Sequence, residues 1–375
     1  MILRTLLLAA ALAACGRPAA SPGPADSRTA AGVAIPMPAA RAAHGAAALS
    51  DGRVVLIGGC VRESCESGPE SATVDAYDPR TGRFARAGQL LDRRVSAAVL
   101  RLASGEILIA GGWVGEAVSD RVELWNPRTG RSRRGPPLAL ARSDLAAAIL
   151  ADGRVLLAGG FNGVGAVDAV EIFDPATGTL ERSGSLAVAR AGAGAALLPD
   201  GSVLIVGGGT GPGAREPTAA AELFDPKTGS SSPTGGLAEA RYKHATVSLG
   251  DGRVLVLGGS DRRDRNGKLA SVERYDPGRR AFVAAGRLLE PRYKIAGAVV
   301  LLPDGTVLVA GGAPRAELYD PASGRSVPTG PALGKSLNFA TATLMANGAV
   351  LIAGGYDENG IRMGREAWHV PSAAR

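Results

Sequence analysis

Seven glycine pairs, spaced 43 to 53 residues apart, constrain the fold of this chain more than any other feature. They are Gly58/Gly59, Gly111/Gly112, Gly159/Gly160, Gly207/Gly208, Gly258/Gly259, Gly311/Gly312 and Gly354/Gly355. In each unit a tight turn leads into a short apolar run that ends at the glycine pair. A loop follows, and then an acidic-apolar-aromatic-Asp-Pro run, as in residues 222–226. A period of about 50 residues with four short strands per unit predicts a blade of a β-propeller.

Each unit divides into four predicted strands that differ in composition. The first consists of small residues (46–49 in the first unit), which suits the innermost strand, where the blades converge. The second is continuously apolar (54–57), which indicates burial on both faces. The third ends at an Asp-Pro turn (74–79), and the fourth is short and polar (83–86), as an outer edge requires. We therefore predict an all-β fold of four-stranded antiparallel blades.

The seventh unit shows no fourth strand after residues 366–370. Residues 31–37 stand before Arg41 with the spacing that Leu186 has to Arg190 in the fourth unit. We predict that residues 31–37 cross the ring and complete blade seven, which would join the two ends of the chain. The sequence thus predicts a closed seven-bladed propeller, with six blades as the alternative if the last unit is degenerate.

These units resemble kelch repeats, whose family pattern is a glycine pair closing the second strand and a Tyr-Asp-Pro-like run in the third. The resemblance covers about residues 29 to 371 and implies one propeller of the galactose-oxidase/kelch type, with residues 372–375 as a tail. Most fourth strands lack the tryptophan of the family pattern. The first-strand histidine is present only as His44 and His244.

The N-terminus has the composition of a secretory signal. One positive charge, a short apolar run and small residues fill positions 1–14, and this run is too short for a spanning helix. The tetrad that ends at Cys15 resembles the lipobox of bacterial lipoproteins, which implies that Cys15 becomes an acylated N-terminus. Residues 15–28 then form a flexible tether. We expect a monomer anchored to a membrane of the bacterial cell envelope, in the outer membrane and facing the periplasm or the surface. An ordinary cleaved signal with a chance cysteine is the alternative.

Alternating strand direction divides the connections between two faces of the predicted ring. The Asp-Gly and Asp-Pro-x-Thr-Gly turns are tight and alike, and they share one face, the turn face. The loops after the glycine pairs share the other face, the loop-rich face, with the connections between blades. The variable loops are residues 60–71, 113–120, 161–168, 209–219, 260–270 and 356–365. Variable loops on a rigid scaffold commonly carry binding sites, so we expect the ligand on the loop-rich face.

Six arginines mark the entry to the predicted first strands on that face: Arg41, Arg94, Arg142, Arg190, Arg241 and Arg292. In the seventh unit the matching residue is Leu337, with Lys335 two positions earlier. Guanidinium groups that face a channel mouth would bind carboxylates or phosphates. The alternative is architectural, with each arginine paired to a neighbouring carboxylate or to backbone carbonyls, and a residue that recurs in every blade favours it.

Residues that do not recur are better candidates for specialised contact. Tyr242, Lys243 and His244 fall in one sector with Tyr293 and Lys294. Elsewhere on the predicted ring lie two polar residues, Asp144 and His44. Three aromatic residues directly follow a glycine pair and either offer stacking surfaces or fill the bases of the loops: Trp113, Phe161 and Tyr356.

The sequence predicts neither a metal site nor a bound cofactor. Three histidines, His44, His244 and His369, are present without ligand spacing. The run of residues 261–267 has oxygen ligands without the spacing of a calcium loop. An exported protein meets an oxidising compartment, so we expect a disulfide between Cys60 and Cys65, with a reactive or metal-binding pair as the alternative.

Two enzyme families share this repeat. Galactose oxidase-like proteins use a copper site of tyrosines and histidines, with a cysteine cross-linked to one tyrosine. Sialic-acid mutarotase-like kelch proteins are exported and act on a carboxylated sugar. After acylation of Cys15 only Cys60 and Cys65 remain for such a cross-link, and three histidines are few for a copper site. No catalytic residue of the mutarotase-like family can be matched here. The formal net charge of +7 favours anionic partners, but no cluster of basic residues resembles a nucleic-acid footprint.

The leading functional hypothesis is a non-enzymatic binding module for a protein or glycan ligand, with an anionic ligand favoured. The alternative is an enzyme that acts on an anionic sugar in the channel mouth. A purely structural component of the envelope is a third possibility. Fold alone does not decide among them.

Overall fold

The computed structural model describes residues 34–61, 70–357 and 363–371 and shows seven four-stranded antiparallel sheets. The predicted signal at 1–14, Cys15, the tether, Cys65 and the tail at 372–375 lie outside the described residues.

The strands are as follows. β1 is Ala34–Pro36. Blade one is β2 (Gly45–Ala48), β3 (Val54–Ile57), β4 (Thr73–Asp78) and β5 (Arg83–Gln89). Blade two is β6 (Ala98–Arg101), β7 (Ile107–Ala110), β10 (Val122–Asn126) and β11 (Arg131–Arg134), with the ribbon β8 (Trp113–Val114) and β9 (Ala117–Val118) in its loop. Blade three is β12 (Ala146–Ile149), β13 (Val155–Ala158), β14 (Ala169–Asp174) and β15 (Thr179–Ser185). Blade four is β16 (Gly194–Leu197), β17 (Val203–Val206), β20 (Ala221–Asp225) and β21 (Ser230–Thr234), with the ribbon β18 (Gly209–Thr210) and β19 (Glu216–Pro217). Blade five is β22 (Ala245–Ser248), β23 (Val254–Leu257), β24 (Leu269–Asp276) and β25 (Ala281–Arg292), with a 3-10 turn at Asp264–Gly267. Blade six is β26 (Val299–Leu301), β27 (Val307–Val309), β28 (Arg315–Asp320) and β29 (Arg325–Ala332). Blade seven is β30 (Thr341–Leu344), β31 (Val350–Ala353) and β32 (Glu366–Val370), completed by β1.

The ring is closed by β1, which lies within the predicted segment 31–37; residues 31–33 lie outside the described residues. β1 runs antiparallel to β32, with Ala34 opposite Trp368 and Pro36 opposite Glu366. The first strands of consecutive blades contact one another around the whole circle, including β30 against β2. Seven blades, and not six, are therefore confirmed, and the beginning and end of the propeller share one sheet.

The core lies between neighbouring blades, because each second strand is buried on both faces. In β3, Val54 and Leu56 pack towards blade seven, whereas Val55 and Ile57 pack towards blade two. Side chains alternate across a strand, so four consecutive apolar residues serve two interfaces at once. Full burial of each such side chain contributes about 1.5–3 kcal/mol, and the apolar run predicted from the sequence is the main source of cohesion.

The fourth strands differ from the expectation of short segments. β5 extends to Gln89, and β25 has 12 residues. These strands continue into the connection to the next blade, and a register shift in several of them lies beside the acidic residue of the third strand. Their exposed, polar pattern is nevertheless the one expected for an outer edge.

The turns between first and second strands are tight and alike. In blade one, Gly52 has φ of 89°, and its N–H donates to the Leu49 carbonyl over 3.1 Å. Because the strands alternate in direction, these turns lie on the turn face, and the loops after the glycine pairs lie on the loop-rich face. Within the described parts of the chain, no helix has the length and hydrophobicity of a membrane span.

Candidate functional site

Six arginines on the loop-rich face are buried inside the blades, each at most 2% exposed. Each donates to a carboxylate on the third strand of its own blade. The pairs are Arg41–Asp75, Arg94–Glu123 at 2.9 Å, Arg142–Glu171 at 2.5 Å, Arg190–Glu222 at 2.7 Å, Arg241–Glu273 at 2.7 Å and Arg292–Glu317 at 2.6 Å. Burial lowers the pKa of each of these arginines, and the attraction of the paired carboxylate acts against that shift.

Each pair also organises backbone groups, as blade four shows. Arg190 Nη1 donates to the carbonyls of Gly207 (3.0 Å) and Ala220 (2.7 Å). Glu222 Oε2 accepts from the N–H of Ala187 over 2.6 Å. The ion pair therefore joins the entry to the first strand, the glycine pair, the third strand and the connection from the preceding blade.

The glycine pairs couple each blade to the next. Gly160 N–H donates to the Arg190 carbonyl over 2.8 Å, and Gly355 N–H donates to the Arg41 carbonyl over 2.8 Å across the closure. A Cβ at Gly159 would lie 2.4 Å from the Arg190 carbonyl oxygen, and φ there is 61°. Only glycine fits such a position, which explains the period in the sequence.

Blade seven replaces the ion pair by an apolar contact. Leu337 takes the arginine position, and Trp368, opposite Ile352, takes the register of the acidic residue that Glu123 occupies opposite Ile109. Leu337 and Trp368 are both buried in one cluster. Both charges are thus lost together.

The ligand-binding expectation for the six arginines is corrected by this geometry. Their guanidinium groups lie inside the blades against carboxylates and carbonyls, which is the architectural alternative. His244 also needs correction, because it is 3% exposed and packs beneath the glycine pairs. None of these seven side chains offers its polar atoms to a ligand on the surface.

A ring of residues two positions after each arginine surrounds the channel mouth on the loop-rich face. These residues are Ala43, Ser96, Asp144, Gly192, Lys243, Lys294 and, in blade seven, Phe339. All have positive φ. Backbone hydrogen bonds of 2.8–3.3 Å link neighbours in this ring, except between Gly192 and Lys243. The backbone repeats while the side chains differ in charge and size, so the mouth is where the blades acquire individual chemistry.

Three of the five lysines in the chain gather around the ring of Tyr293. The Nζ atoms of Lys294, Lys268 and Lys243 lie 5.1, 5.5 and 5.9 Å from its centroid. Tyr293 itself is only 3% exposed, so the lysines cover it. We call Lys243, Lys268 and Lys294 the lysine cluster.

Lys294 is held by three aromatic rings. Its Nζ lies 5.1 to 5.3 Å from the centroids of Tyr293, Tyr356 and Phe339, and it donates to the Tyr356 hydroxyl over 2.7 Å. Phe339 and Tyr356 contact each other with centroids 5.8 Å apart. Ring faces attract ammonium groups, so they fix the position of this charge near the axis.

Lys243 is oriented by Asp264 and Tyr242. Its Nζ lies 2.7 Å from Asp264 Oδ1 and 4.5 Å from the Tyr242 centroid. Burial would raise the pKa of Asp264, but the hydrogen bond and charge of Lys243 outweigh it, and the pKa is lowered. Burial first, and the charge of Asp264 second, raise the pKa of Tyr242 to about 12. At neutral pH Tyr242 is therefore a neutral ring beneath a cation.

Asp144 supplies a carboxylate elsewhere on the mouth, in blade three. Its Oδ2 accepts from the Ser143 hydroxyl over 2.7 Å. Burial raises the pKa of Asp144, while Ser143 and the charge of Lys243 act in the opposite direction. The mouth thus carries cations in blades five and six and an acid in blade three.

The other aromatic candidates fill loop bases. Trp113 and Phe161 are partly buried and contact each other with centroids 5.9 Å apart. Trp113 and Tyr356 also pack against a small cluster that includes the buried Cys60. Cys60 is disulfide-bonded, and its predicted partner Cys65 lies outside the described residues. These contacts favour the structural interpretation for Trp113 and Phe161.

Lys243 and Lys294 lie together, as predicted from the sequence, whereas Lys268 and Phe339 were not predicted. Lys268 belongs to the loop of blade five, and its approach to Tyr293 depends on the 3-10 turn before it. Phe339 could have been found, because it stands two residues after Leu337, as Lys294 stands two after Arg292.

Comparison with known proteins supports the fold. The Kelch motif model matches residues 41–90 and 241–283. A search of the curated proteins found no match. Among solved structures, a fungal alcohol oxidase of the AA5 family in complex with copper is similar, with a TM-score of 0.72 and 18% identity over 93% of this chain and 79% of that one. At this identity the likeness shows the fold alone.

The donors described here do not fit a copper ion. His44 is buried with its Nε2 3.0 Å from the Thr341 hydroxyl, and His244 is buried in the equivalent place of blade five. Among residues 34–61, 70–357 and 363–371, no three histidine, cysteine or acidic side chains converge as a metal site would require. The closed ring of seven four-stranded sheets shows that the chain is a seven-bladed β-propeller, and two of its segments match the Kelch motif.

Proposed function

We propose that this propeller is a binding module whose ligand carries an anionic group and sits over the lysine cluster at the channel mouth. The observation that carries the proposal is the convergence of three of the five lysines on Tyr293. The kelch-type scaffold supports binding in general, and the chemistry of the ligand is inferred from this sector alone.

Electrostatics favours an anion at this place. Three ammonium groups around one ring repel one another, and Asp264 pairs directly with Lys243. The aromatic rings hold the cations in position before a ligand arrives, which reduces the entropy that binding would otherwise cost. An anion over the cluster would gain charge-assisted hydrogen bonds from preplaced donors.

The division between repeated and individual residues also supports this site. The buried arginines recur in six blades and hold the fold together, whereas lysine at the mouth occurs in blades five and six only. A scaffold that repeats needs no lysine cluster, since blades one to four do without one.

The test is calorimetric titration with acidic and neutral sugars on wild type and on Lys243→Gln/Lys294→Gln. We expect an acidic sugar such as galacturonic acid to bind, its neutral counterpart galactose to bind at least about tenfold more weakly, and the double variant to lose the difference. Lys227→Gln is the matched control, since Lys227 is exposed on the turn face. Equal binding of acidic and neutral sugars, or an effect of the control alone, would refute the proposal.

The enzymatic alternative predicts a different result in the same experiment. Turnover of the acidic sugar, lost in Lys294→Gln or Tyr356→Phe, would make the protein an enzyme on an anionic sugar. Saturable binding with chemically unchanged sugar favours the module. A purely structural component would show no saturable ligand.

We also propose that the protein is exported and anchored by lipid on Cys15. The disulfide at Cys60 supports an oxidising compartment. Labelling of cells with an alkyne-tagged fatty acid should mark the wild type and not Cys15→Ala. Labelling of both, or of neither, would contradict the anchor.

A further inference from the structure

We infer that a groove above blade six is a second anion subsite and that the ligand is an acidic oligosaccharide that bridges the groove and the channel mouth. This inference rests on the proposed function and adds the length and class of the ligand.

The groove exists because blade six has almost no loop after its glycine pair. Its third strand begins at Arg315, directly after Ala313 and Pro314. The corresponding segment of blade five runs from Ser260 to Lys268 and contains the 3-10 turn. In the sequence, blade six has the shortest segment between its glycine pair and its third strand.

The open space is a cavity of about 290 Å³ between blades five and six. Its lining is Arg265, Asn266, Lys268, Glu290, Pro291, Gly312, Ala313 and Pro314. The volume of this cavity is at the lower limit of small-molecule sites, which is about 300 Å³, so the groove has room for a single ring-sized unit. A whole oligomer would have to extend beyond it.

Lys268 connects the groove to the channel mouth. It lines the cavity and lies 5.5 Å from the Tyr293 centroid, which Lys294 approaches to 5.1 Å. Arg265 brings a second cation to the groove wall. A chain with an acidic group on successive units could therefore meet cations in the groove and at the mouth in one bound pose.

The remaining lining groups favour a sugar acid over an acidic peptide. Glu290 accepts hydrogen bonds, and Asn266 both donates and accepts them, as hydroxyl groups require. The Glu290 carboxylate would repel the side chain of an acidic peptide, which offers only a carboxylate, whereas a sugar acid also offers hydroxyl groups that can donate to Glu290. Glu290 and Pro291 lie in β25, an outer edge strand, and Pro291 has no N–H with which an added peptide strand could pair.

The test compares α-1,4-linked galacturonate oligomers of one, two, three and four units by calorimetric titration. On wild type we expect affinity to rise by about tenfold or more between monomer and trimer, because the second contact becomes intramolecular. Arg265→Gln should bind the monomer as wild type does and lose most of the gain with length. Pro314→Trp, which fills the exposed floor of the groove without changing charge, should do the same. Arg279→Gln, on the turn face, is the control.

Three results would overturn the inference. Equal affinity for all lengths would remove the groove subsite while leaving the channel-mouth proposal intact. An unchanged gain with length in both groove variants would do the same. Poly-glutamate binding as tightly as galacturonate oligomers of equal charge, with the same sensitivity to Arg265→Gln, would make the ligand an acidic protein segment. If the wild type did not bind the galacturonate monomer at all, the proposed function itself would be wrong.

Discussion

The same face of this propeller carries two sets of cations that have opposite relations to solvent. Six arginines, such as Arg190, lie inside the blades, each with a carboxylate and at least two backbone carbonyls. The lysine cluster lies above them, around Tyr293 at the mouth. A ring of charges in a repeat sequence is therefore first a feature of the scaffold. Recognition is better sought where one sector departs from the repeat.

Blade seven sharpens this contrast. There the arginine and its acid are replaced together by Leu337 and Trp368, and the sheet still closes the ring. A buried ion pair can often be exchanged for packed apolar residues without loss, whereas removal of one partner strands a charge. The buried Arg–carboxylate pair of blades one to six and the apolar Leu337–Trp368 contact of blade seven therefore fill the same place in the blade.

The largest expected effect follows from stranding one of these charges. Glu222→Ala leaves Arg190 buried without its carboxylate and should lower the free energy of unfolding by about 3–5 kcal/mol. Chemical denaturation with fluorescence detection measures it. Lys227→Ala on the turn face should change little, and a loss below about 1 kcal/mol for Glu222→Ala would show that the pair is not structural.

The next effect is the recovery that blade seven predicts. Arg190→Leu/Glu222→Leu should be more stable than the sum of the two single changes implies, with a coupling energy of about 0.5–3 kcal/mol. A double-mutant cycle on the unfolding free energies gives this quantity directly. Additive effects would mean that Leu337 and Trp368 do not report on the other blades.

Acid should destabilise the ring through its buried histidines. Burial first, and the nearby Arg41 or Arg241 second, lower the pKa of His44 and His244 to about 3. The unfolded chain binds protons below about pH 6.5 and the folded chain does not, so stability falls as pH falls towards 3. The slope is about 1.4 kcal/mol per pH unit for each histidine.

Unfolding free energies between pH 6.5 and 5 test this slope before most carboxylates titrate. His44→Asn/His244→Asn should flatten the curve, whatever its absolute stability. An unchanged slope in the double variant would contradict the burial of neutral histidines.

The smallest effect on stability is expected at the lysine cluster. Lys243→Gln/Lys294→Gln should change the free energy of unfolding by at most about 1 kcal/mol, because the lost cation–π and ion-pair contacts are partly exposed. Thermal unfolding of the same samples used for titration measures it. If the double variant lost as much unfolding free energy as Glu222→Ala, the lysines would be structural residues like the buried arginines, and the two sets of cations would not differ in role.

Much of this architecture could be predicted from the sequence, since glycine pairs recur wherever one blade contacts the next, and all of these glycines except Gly311 have positive φ. The closing strand followed from the missing fourth strand of blade seven. The burial of the arginines was not predicted as the leading interpretation, because it depends on a carboxylate that lies 25 to 34 residues later in the chain. A signal was nevertheless present: the acid is absent only where the arginine is absent, at Leu337 and Trp368. The groove above blade six depends on how neighbouring loops pack, which the order of residues does not reveal.

The most direct test of the central claim is lysine acetylation followed by mass spectrometry, with and without galacturonate trimer. All five lysines can be read in one experiment, and Lys227 on the turn face is the internal control. We expect the trimer to slow acetylation of Lys243, Lys268 and Lys294 and to leave that of Lys227 unchanged. Equal protection of Lys227, or saturable binding with no protection of the cluster, would contradict it.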